Sequence, residues 1–258
     1  MDLQLKGKVA VIAGGSKGIG LACARAFLAE GARVALLSRD AANLAAAGSI
    51  LGAEVFTHAV DLTDPAAAVR AFAAVTAALG PVDVLFNSAG AARRHAPHEL
   101  DSAAWRQAMD SKFFTCIHAM DAVLPSMAAR GSGAVVNIIG VGGKVASPVH
   151  IAGGSANAAL MLATTGLAAA YAPKGVRING INPGLTLTGR VEERIAAESR
   201  MSGASAREVR ARMEEGIPLG RFARPEEIAQ VALFLASPCA SYVMGAIVPM
   251  DGASNPVI

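Results

Sequence analysis

The sequence predicts an α/β fold, a doubly wound parallel sheet of about seven strands between two helical layers (three-layer α/β/α). Three observations carry this expectation. Short, nearly continuous apolar runs recur along the chain, as strands buried on both faces require. Longer stretches with helical periodicity alternate with those runs. A glycine-rich loop follows the first run and opens the first helix, which is how such sheets bind phosphate.

The elements follow in order. The first strand is Val9-Ala10-Val11-Ile12-Ala13, and a helix runs near Ile19 to Glu30. Further strands are read at Val34-Ala35-Leu36-Leu37, Val55 to Val60, Val84-Leu85-Phe86, Ala134 to Ile138, Val176 to Ile181 and Ala246 to Met250. Helices are read near Pro65 to Leu79, Ser102 to Ala129, Ser155 to Tyr171 and Pro225 to Ala236, several opened by Pro or Ser. The stretch from Leu185 to about Gly216 is charged and helical in character and lies where a substrate lid could close, at 185–216. No repeat or low-complexity linker divides the chain, so residues 1–258 are read as one domain.

Composition narrows the function classes. A chain of 258 residues, 53% apolar with mean hydropathy +0.43, buries a large core without disulfides or metal. No run of about 20 apolar residues is read that could span a bilayer. The N-terminus, Met1 to Lys8, lacks the basic-then-apolar order of a signal peptide, so the expectation is a cytoplasmic protein with no membrane contact. Cys23, Cys116 and Cys239 are far apart, odd in number and without metal-ligand spacing, which reads as reduced, buried thiols and no metal site. A net charge of +3 is mild, and no basic cluster is interleaved with aromatics, so nucleic acid is not an expected partner.

The first chemistry lies in Ala13-Gly14-Gly15-Ser16-Lys17-Gly18-Ile19-Gly20, between a strand and a helix. Glycines allow a tight turn and close approach of a pyrophosphate, and the free amides and dipole of the helix start favour its charge. This is the phosphate loop of a Rossmann-type dinucleotide site.

The wide glycine spacing, Gly14-x-x-x-Gly18-Ile19-Gly20, resembles that of the short-chain dehydrogenase/reductase family. Other marks of that family fall in order over nearly the whole chain. Asp61-Leu62 is similar to its adenine contact, and Asn87-Ser88-Ala89-Gly90 to its Asn-Asn-Ala-Gly motif. Asn182-Pro183-Gly184, followed by Thr186 and Thr188, resembles the turn that holds the nicotinamide end, and Asp251-Gly252 its C-terminal signature. The resemblance implies that Gly14, Ser16, Lys17, Gly18, Ile19, Gly20, Ser38, Arg39, Asp61, Leu62, Asn87, Ala89, Gly90, Pro183, Gly184, Thr186 and Thr188 bind the cofactor. An acidic residue at the end of the second strand would favour NAD(H), whereas this chain has Ser38-Arg39 there, with Lys17 in the loop. Arg39 offers a planar fork to a phosphate, so NADP(H) is expected over NAD(H); without the resemblance, both cations read as solvated surface charges.

At the catalytic centre the resemblance fails in all four roles. The family ends its fifth strand on Ser, places Tyr thirteen residues later and Lys four after that, and carries an Asn in the preceding long helix. Tyr handles the proton at a carbonyl oxygen, and Lys lowers its pKa. Here those positions hold Gly140, Gly153, Asn157 and Lys112. Tyr171 and Lys174 have the wrong spacing and read as structural. Glycine offers no side-chain donor, acid or base, so the candidates are His150, Lys112 and Asn157. His150 reads more readily as a solvated loop residue, and Lys112 and Lys144 more readily as ordinary surface lysines. Arg93, Arg94, His95 and His98 form a basic stretch that suggests an acidic small-molecule substrate or merely a solvated loop.

Three functions fit this reading: an NADP(H)-dependent oxidoreductase with nonstandard catalytic residues; a non-redox isomerase, lyase or cyclase on the same fold; and an NADP(H)-binding pseudoenzyme. The resemblance also implies a homodimer or homotetramer built through the two long helices and the C-terminal segment.

Overall fold

The structure is a computed structural model that describes residues 1–52, 55–90 and 93–256. A seven-stranded sheet in the order β3-β2-β1-β4-β5-β6-β7 runs through it, every neighbouring pair parallel. The strands are β1 (Val9–Ala13), β2 (Arg33–Ser38), β3 (Phe56–Ala59), β4 (Val84–Asn87), β5 (Gly133–Ile138), β6 (Val176–Pro183) and β7 (Ile247–Met250). All seven lie where the apolar runs place them, shifted by one or two residues at their ends.

Alternate strand residues feed opposite faces, as the two-residue period requires. Val9, Val11, Leu85, Val135 and Ile178 pack under α3 (Pro65–Leu79), α5 (Thr115–Arg130) and α6 (Ile151–Tyr171). Ala10, Ile12, Phe86, Val136 and Ile181 pack under α1 (Gly18–Ala29), α2 (Ala41–Leu51) and α9 (Pro225–Ala236). Full burial on both faces explains why the central strands are continuously apolar rather than alternating.

Helix starts follow the local chemistry. Asp64 accepts from the Ala66 amide and Pro65 occupies the first turn of α3. The sequence reading missed α2, whose Ala-rich run shows no clear apolar period. Its start is nevertheless marked by Asp40, which accepts from the Asn43 amide.

The expected single helix from Ser102 to Ala129 is three pieces: α4 (Ser102–Ala108), a π-helical turn (Met109–Phe114) and α5. The Thr115 hydroxyl donates to the Asp110 carbonyl five residues back, and the wider turn rotates Lys112 toward the sheet. Such turns often mark functional sites.

α6 begins at Ile151, one turn before the expected Ser155, with the Gly154 amide donating to the His150 carbonyl. Contrary to the sequence expectation, Ile151–Lys174 is long and apolar enough to cross a membrane by length and composition. Here it packs along β6, and its Ala and Gly content gives it the apolar character of a core helix.

The 185–216 segment contains α7 (Gly189–Ser202) and α8 (Ala206–Glu215). They share a small core of their own, Val191, Ile195, Val209, Ile217 and Phe222. Cys23 and Cys116 are buried as expected, whereas Cys239 is exposed, its Sγ 3.3 Å from the Asp2 carbonyl.

Candidate active site

Every residue singled out for cofactor or catalysis lies at or just beyond the carboxyl end of a parallel strand, or on the helix that follows it. Gly14 follows β1, Ser38 and Arg39 lie at the end of β2, Asp61 follows β3 and Asn87 ends β4. Gly140 lies two residues past β5, and Gly184 follows β6. The strand order reverses between β1 and β4, so a crevice opens there, where doubly wound sheets take their ligands.

The loop after β1 is built for close approach. A Cβ on Gly20 would lie 2.1 Å from the Gly14 carbonyl oxygen, so no side chain fits between the turn and the first helical residues, Gly18 and Ile19. Across the crevice, Gly18 faces the Thr188 methyl, 3.2 Å from where its own Cβ would stand. Thr188 precedes α7, and Thr186 is buried with its hydroxyl donating to the Gly184 carbonyl. Toward the other end, the Ser16 hydroxyl donates to that of Ser38 at 3.1 Å. Lys17 and Arg39 are exposed on this rim, and Leu62 is buried beneath it. The Thr63 amide and hydroxyl, together with nearby Arg39, hold the Asp61 carboxyl below the usual carboxylate range.

Asn87 is fully buried; its Nδ2 donates to Asn137 Oδ1 at 2.8 Å, and Asn137 Nδ2 donates onward to the Thr164 hydroxyl at 3.0 Å. Asn87 Oδ1 lacks a partner among the described residues. Ala89 and Gly90 continue from Asn87, and Gly90 abuts the π-helical turn: a Cβ there would stand 2.1 Å from the Ser111 carbonyl. Neither Asn137 nor Thr164 was picked out from the sequence. The signal was present, since Asn137 interrupts an otherwise apolar buried strand and needs a partner.

Lys112, Gly140, His150 and Asn157 lie near one another in a second group. Lys112 is buried, and its Nζ donates to the Ile138 carbonyl at 2.7 Å. The surface-lysine alternative is therefore excluded for Lys112. Burial and nearby Arg190 push its pKa below the ordinary lysine value, against a smaller opposing pull from Cys116. His150 is half-buried rather than freely solvated, with its Nδ1 enclosed and unpartnered among the described residues. Burial, Arg94 and Lys112 lower its pKa, so the ring is neutral at neutral pH. Asn157 Oδ1 is likewise enclosed without a partner, while Asn157 Nδ2 stands 3.2 Å from where a Gly140 Cβ would project. The Gly140 amide donates to Asn182 Oδ1.

Gly140 has φ +129°, a backbone conformation that L side chains rarely adopt. Beyond it, the 141–143 turn presses directly on α6. A Cβ on Gly143 would stand 2.8 Å from the Ala158 amide nitrogen, and one on Gly154 would stand 2.7 Å from the Gly142 carbonyl. Gly153 is buried on α6.

Residues 13–254 match the family described as enoyl-(acyl carrier protein) reductase. The chain is 40% identical over 252 residues to a galactitol 2-dehydrogenase (L-tagatose-forming) of Cereibacter sphaeroides, covering 96% of this chain and 95% of that one. The chain belongs to the short-chain dehydrogenase/reductase family. An NADPH-bound short-chain oxidoreductase of Pseudomonas aeruginosa PAO1, described as containing an atypical catalytic center, superposes with TM-score 0.88 at 35% identity, covering 97% and 98% of the two chains. L-sorbose reductase of Gluconobacter frateurii, in complex with NADPH and L-sorbose, superposes with TM-score 0.93 at 30% identity over 100% of both chains.

In this short-chain dehydrogenase/reductase, Tyr171 and Lys174 lie far from the cluster. Tyr171 is 18 residues beyond Gly153 on α6, about 27 Å at helical rise, and the Lys174 ammonium sits over its ring at 5.1 Å. Of the basic stretch, Arg93 and Arg94 are exposed, His98 lies on an exposed turn, and the His95 amide donates to the Val149 carbonyl. That bond ties the stretch to the segment carrying His150. A cavity of about 320 Å³ opens beside Val141 and Gly184, and α7 and α8 contribute Arg194 and Arg212 to its wall. Sequence reasoning placed a lid here but missed both arginines, which look alike among many charged residues until the two helices are folded together.

Proposed function

We propose that this chain is an NADP(H)-dependent oxidoreductase in which Lys112, with His150 and Asn157 beside it, handles the proton that the family's Tyr handles elsewhere. The observation that carries the proposal is the buried Lys112 amino group, fixed on the Ile138 carbonyl two residues before Gly140.

The residues present fit the cofactor. The Gly20 cradle tolerates no side chain, Asn87 keeps an enclosed acceptor without a partner, and Ser16, Lys17, Ser38 and Arg39 gather donors and positive charge at one rim. Gly14 through Gly20 would hold the pyrophosphate, and Asp61 and Leu62 the adenine. Arg39 and Lys17 would hold a 2′-phosphate, with Asn87, Ala89, Gly90, Pro183, Gly184, Thr186 and Thr188 around the nicotinamide end. The bound cofactor supplies or takes up a hydride at the substrate carbon.

In the reducing direction, Lys112 transfers a proton from Nζ to the substrate oxygen, so a carbonyl becomes an alcohol, and the resulting amine is recharged from solvent. A lowered pKa makes that transfer easier than from an ordinary lysine. The hydrogen bond to Ile138 fixes the position of Nζ, and the two remaining N–H groups are available to the substrate. His150, neutral and half-buried, offers a hydrogen bond to the same region.

The test combines cofactor binding with label transfer. NADPH should bind at least about tenfold more tightly than NADH, and Arg39→Asp should abolish that preference. Deuterium from 4-labelled NADPH should appear on a carbonyl, enone or imine substrate. Lys112→Met should stop transfer at unchanged NADPH affinity. Intact NADPH binding with no label transfer across such a panel would leave a cofactor-binding protein instead.

A further inference from the structure

We infer that the substrate carries an anionic group, a carboxylate, phosphate or sulfonate, at the end remote from the reacting carbon, and that Arg194 and Arg212 receive it. This deepens and rests on the oxidoreductase reading, which puts the chemistry beside Gly140, the neighbour of Val141 in the cavity wall. The cavity is about 320 Å³, the size of a small-ligand site. One wall is Val141 and Gly184, next to Gly140 and Pro183; the others carry Arg194, Arg212, Ser254 and Asn255.

Three nearby carboxylates have partners of their own. Glu208, one turn from Arg212 and electrostatically coupled to it, takes the Ser205 amide and hydroxyl on one oxygen, Oε2, both at 2.8 Å. Glu214 pairs with Arg210 at 3.0 Å. Asp251 takes the Ala253 amide on one oxygen and Asn255 Nδ2 on the other. Among the described residues, neither Arg194 nor Arg212 forms an ion pair. More positive charge adjoins them: Arg94 and Arg194 repel each other, which helps to lower the Arg94 pKa after burial has done so, and Arg190 lies near Lys112. Two guanidinium groups converging on one cavity, with no carboxylate between them, suit an oxyanion through forked, charge-assisted hydrogen bonds. His150 lies against Gly142, one residue from Val141 in the cavity wall, and Arg94 adjoins both His150 and Arg194.

The experiment titrates the NADPH complex of the wild type, Arg194→Met and Arg212→Met with ketones of matched length, by calorimetry, while NADPH oxidation is followed by absorbance. The ketones are 4-oxopentanoate, 2-oxopropyl phosphate, 2-oxopropanesulfonate and the neutral 4-oxopentanamide. At least one anionic ketone should bind at least about tenfold more tightly than the amide, the contribution of one charge-assisted hydrogen bond. Either substitution should erase that advantage at unchanged NADPH affinity, and the ketone preferred identifies the anion. Arg212 is exposed, so Arg212→Met remains a folded comparison if Arg194→Met is unstable. Equal binding of all the ketones, binding of none, or a preference that survives both substitutions overturns the inference. Preferred anion binding without NADPH oxidation keeps the subsite while counting against hydride transfer. Oxidation of NADPH by the amide as readily as by the anions does the reverse.

Discussion

Replacing Lys112 with methionine is expected to stabilise the protein while disabling it. Lys112 is only 8% exposed, and its recorded hydrogen bond is to the Ile138 carbonyl at 2.7 Å. Moving an ammonium out of water costs several kcal/mol even after relaxation. One charge-assisted hydrogen bond returns about 1.5–3 kcal/mol. Methionine keeps an unbranched apolar stem in the same channel and removes the charge, at the expense of leaving the Ile138 carbonyl short of a donor, about 1 kcal/mol. The balance is a gain on the order of 1 kcal/mol wherever the folded Lys112 carries its charge, or roughly 2–4 °C in Tm for a chain of this size. The pH dependence carries a definite sign. Burial places the folded pKa of Lys112 below 10.5, so between those two values the unfolded chain binds more protons and the wild type gains stability as pH rises. The advantage of Lys112→Met is therefore full below the folded pKa and shrinks as pH climbs toward about 10.5. Calorimetric melts of both proteins from neutral to alkaline pH check this. A lower Tm for the variant at neutral pH, or a difference that does not change with pH, would refute the picture of a strained, buried ammonium.

Other substitutions test the neighbouring geometry. His150, whose folded pKa lies below 6.5, leaves the wild type fully stable above that pH and progressively less so as pH falls toward the folded value; in acid melts His150→Asn should show less of this loss. Gly140→Ser puts back the family's residue at φ +129°, and denaturant unfolding should show a cost on the order of 1–3 kcal/mol with no gain in turnover. Gly20→Ala places a methyl 2.1 Å from the Gly14 carbonyl; NADPH titration should show affinity collapsing, with overpacking of about 1–3 kcal/mol in the same melts.

Most of the fold was legible because it rests on periodicity. Strands buried on both faces announce themselves as apolar runs, and all seven were found. What was not legible depended on features without a period. α2 is Ala-rich on every side and is marked mainly by the Asp40 cap, a single residue. The break at Met109–Phe114 follows from one extra residue per turn, which composition does not show. In the site, the glycine spacing could be read directly, as could Gly140, Gly153, Asn157 and Lys112 at the positions where the family resemblance leads one to expect Ser, Tyr, Lys and Asn. The burial of Lys112 could not, because it depends on that π-helical turn, and the convergence of Arg194 and Arg212 depends on how α7 folds against α8.

Gly140, Gly143, Gly154 and Asn157 are better understood as one coordinated arrangement than as independent features. A serine at position 140 would need a different backbone, since φ there is +129°. Gly143 and Gly154 let the 141–143 turn and α6 meet backbone to backbone, at distances that a single methyl on either would violate. Asn157 Nδ2 then stands beside Gly140, in the direction a serine side chain would take. Main chain and Asn157 thus crowd the space around Gly140, and Lys112 reaches the Ile138 carbonyl from the π-helical turn. The glycines after β5 meet the glycines opening α6 backbone to backbone, and the extra residue before α5 brings Lys112 to the Ile138 carbonyl beside them.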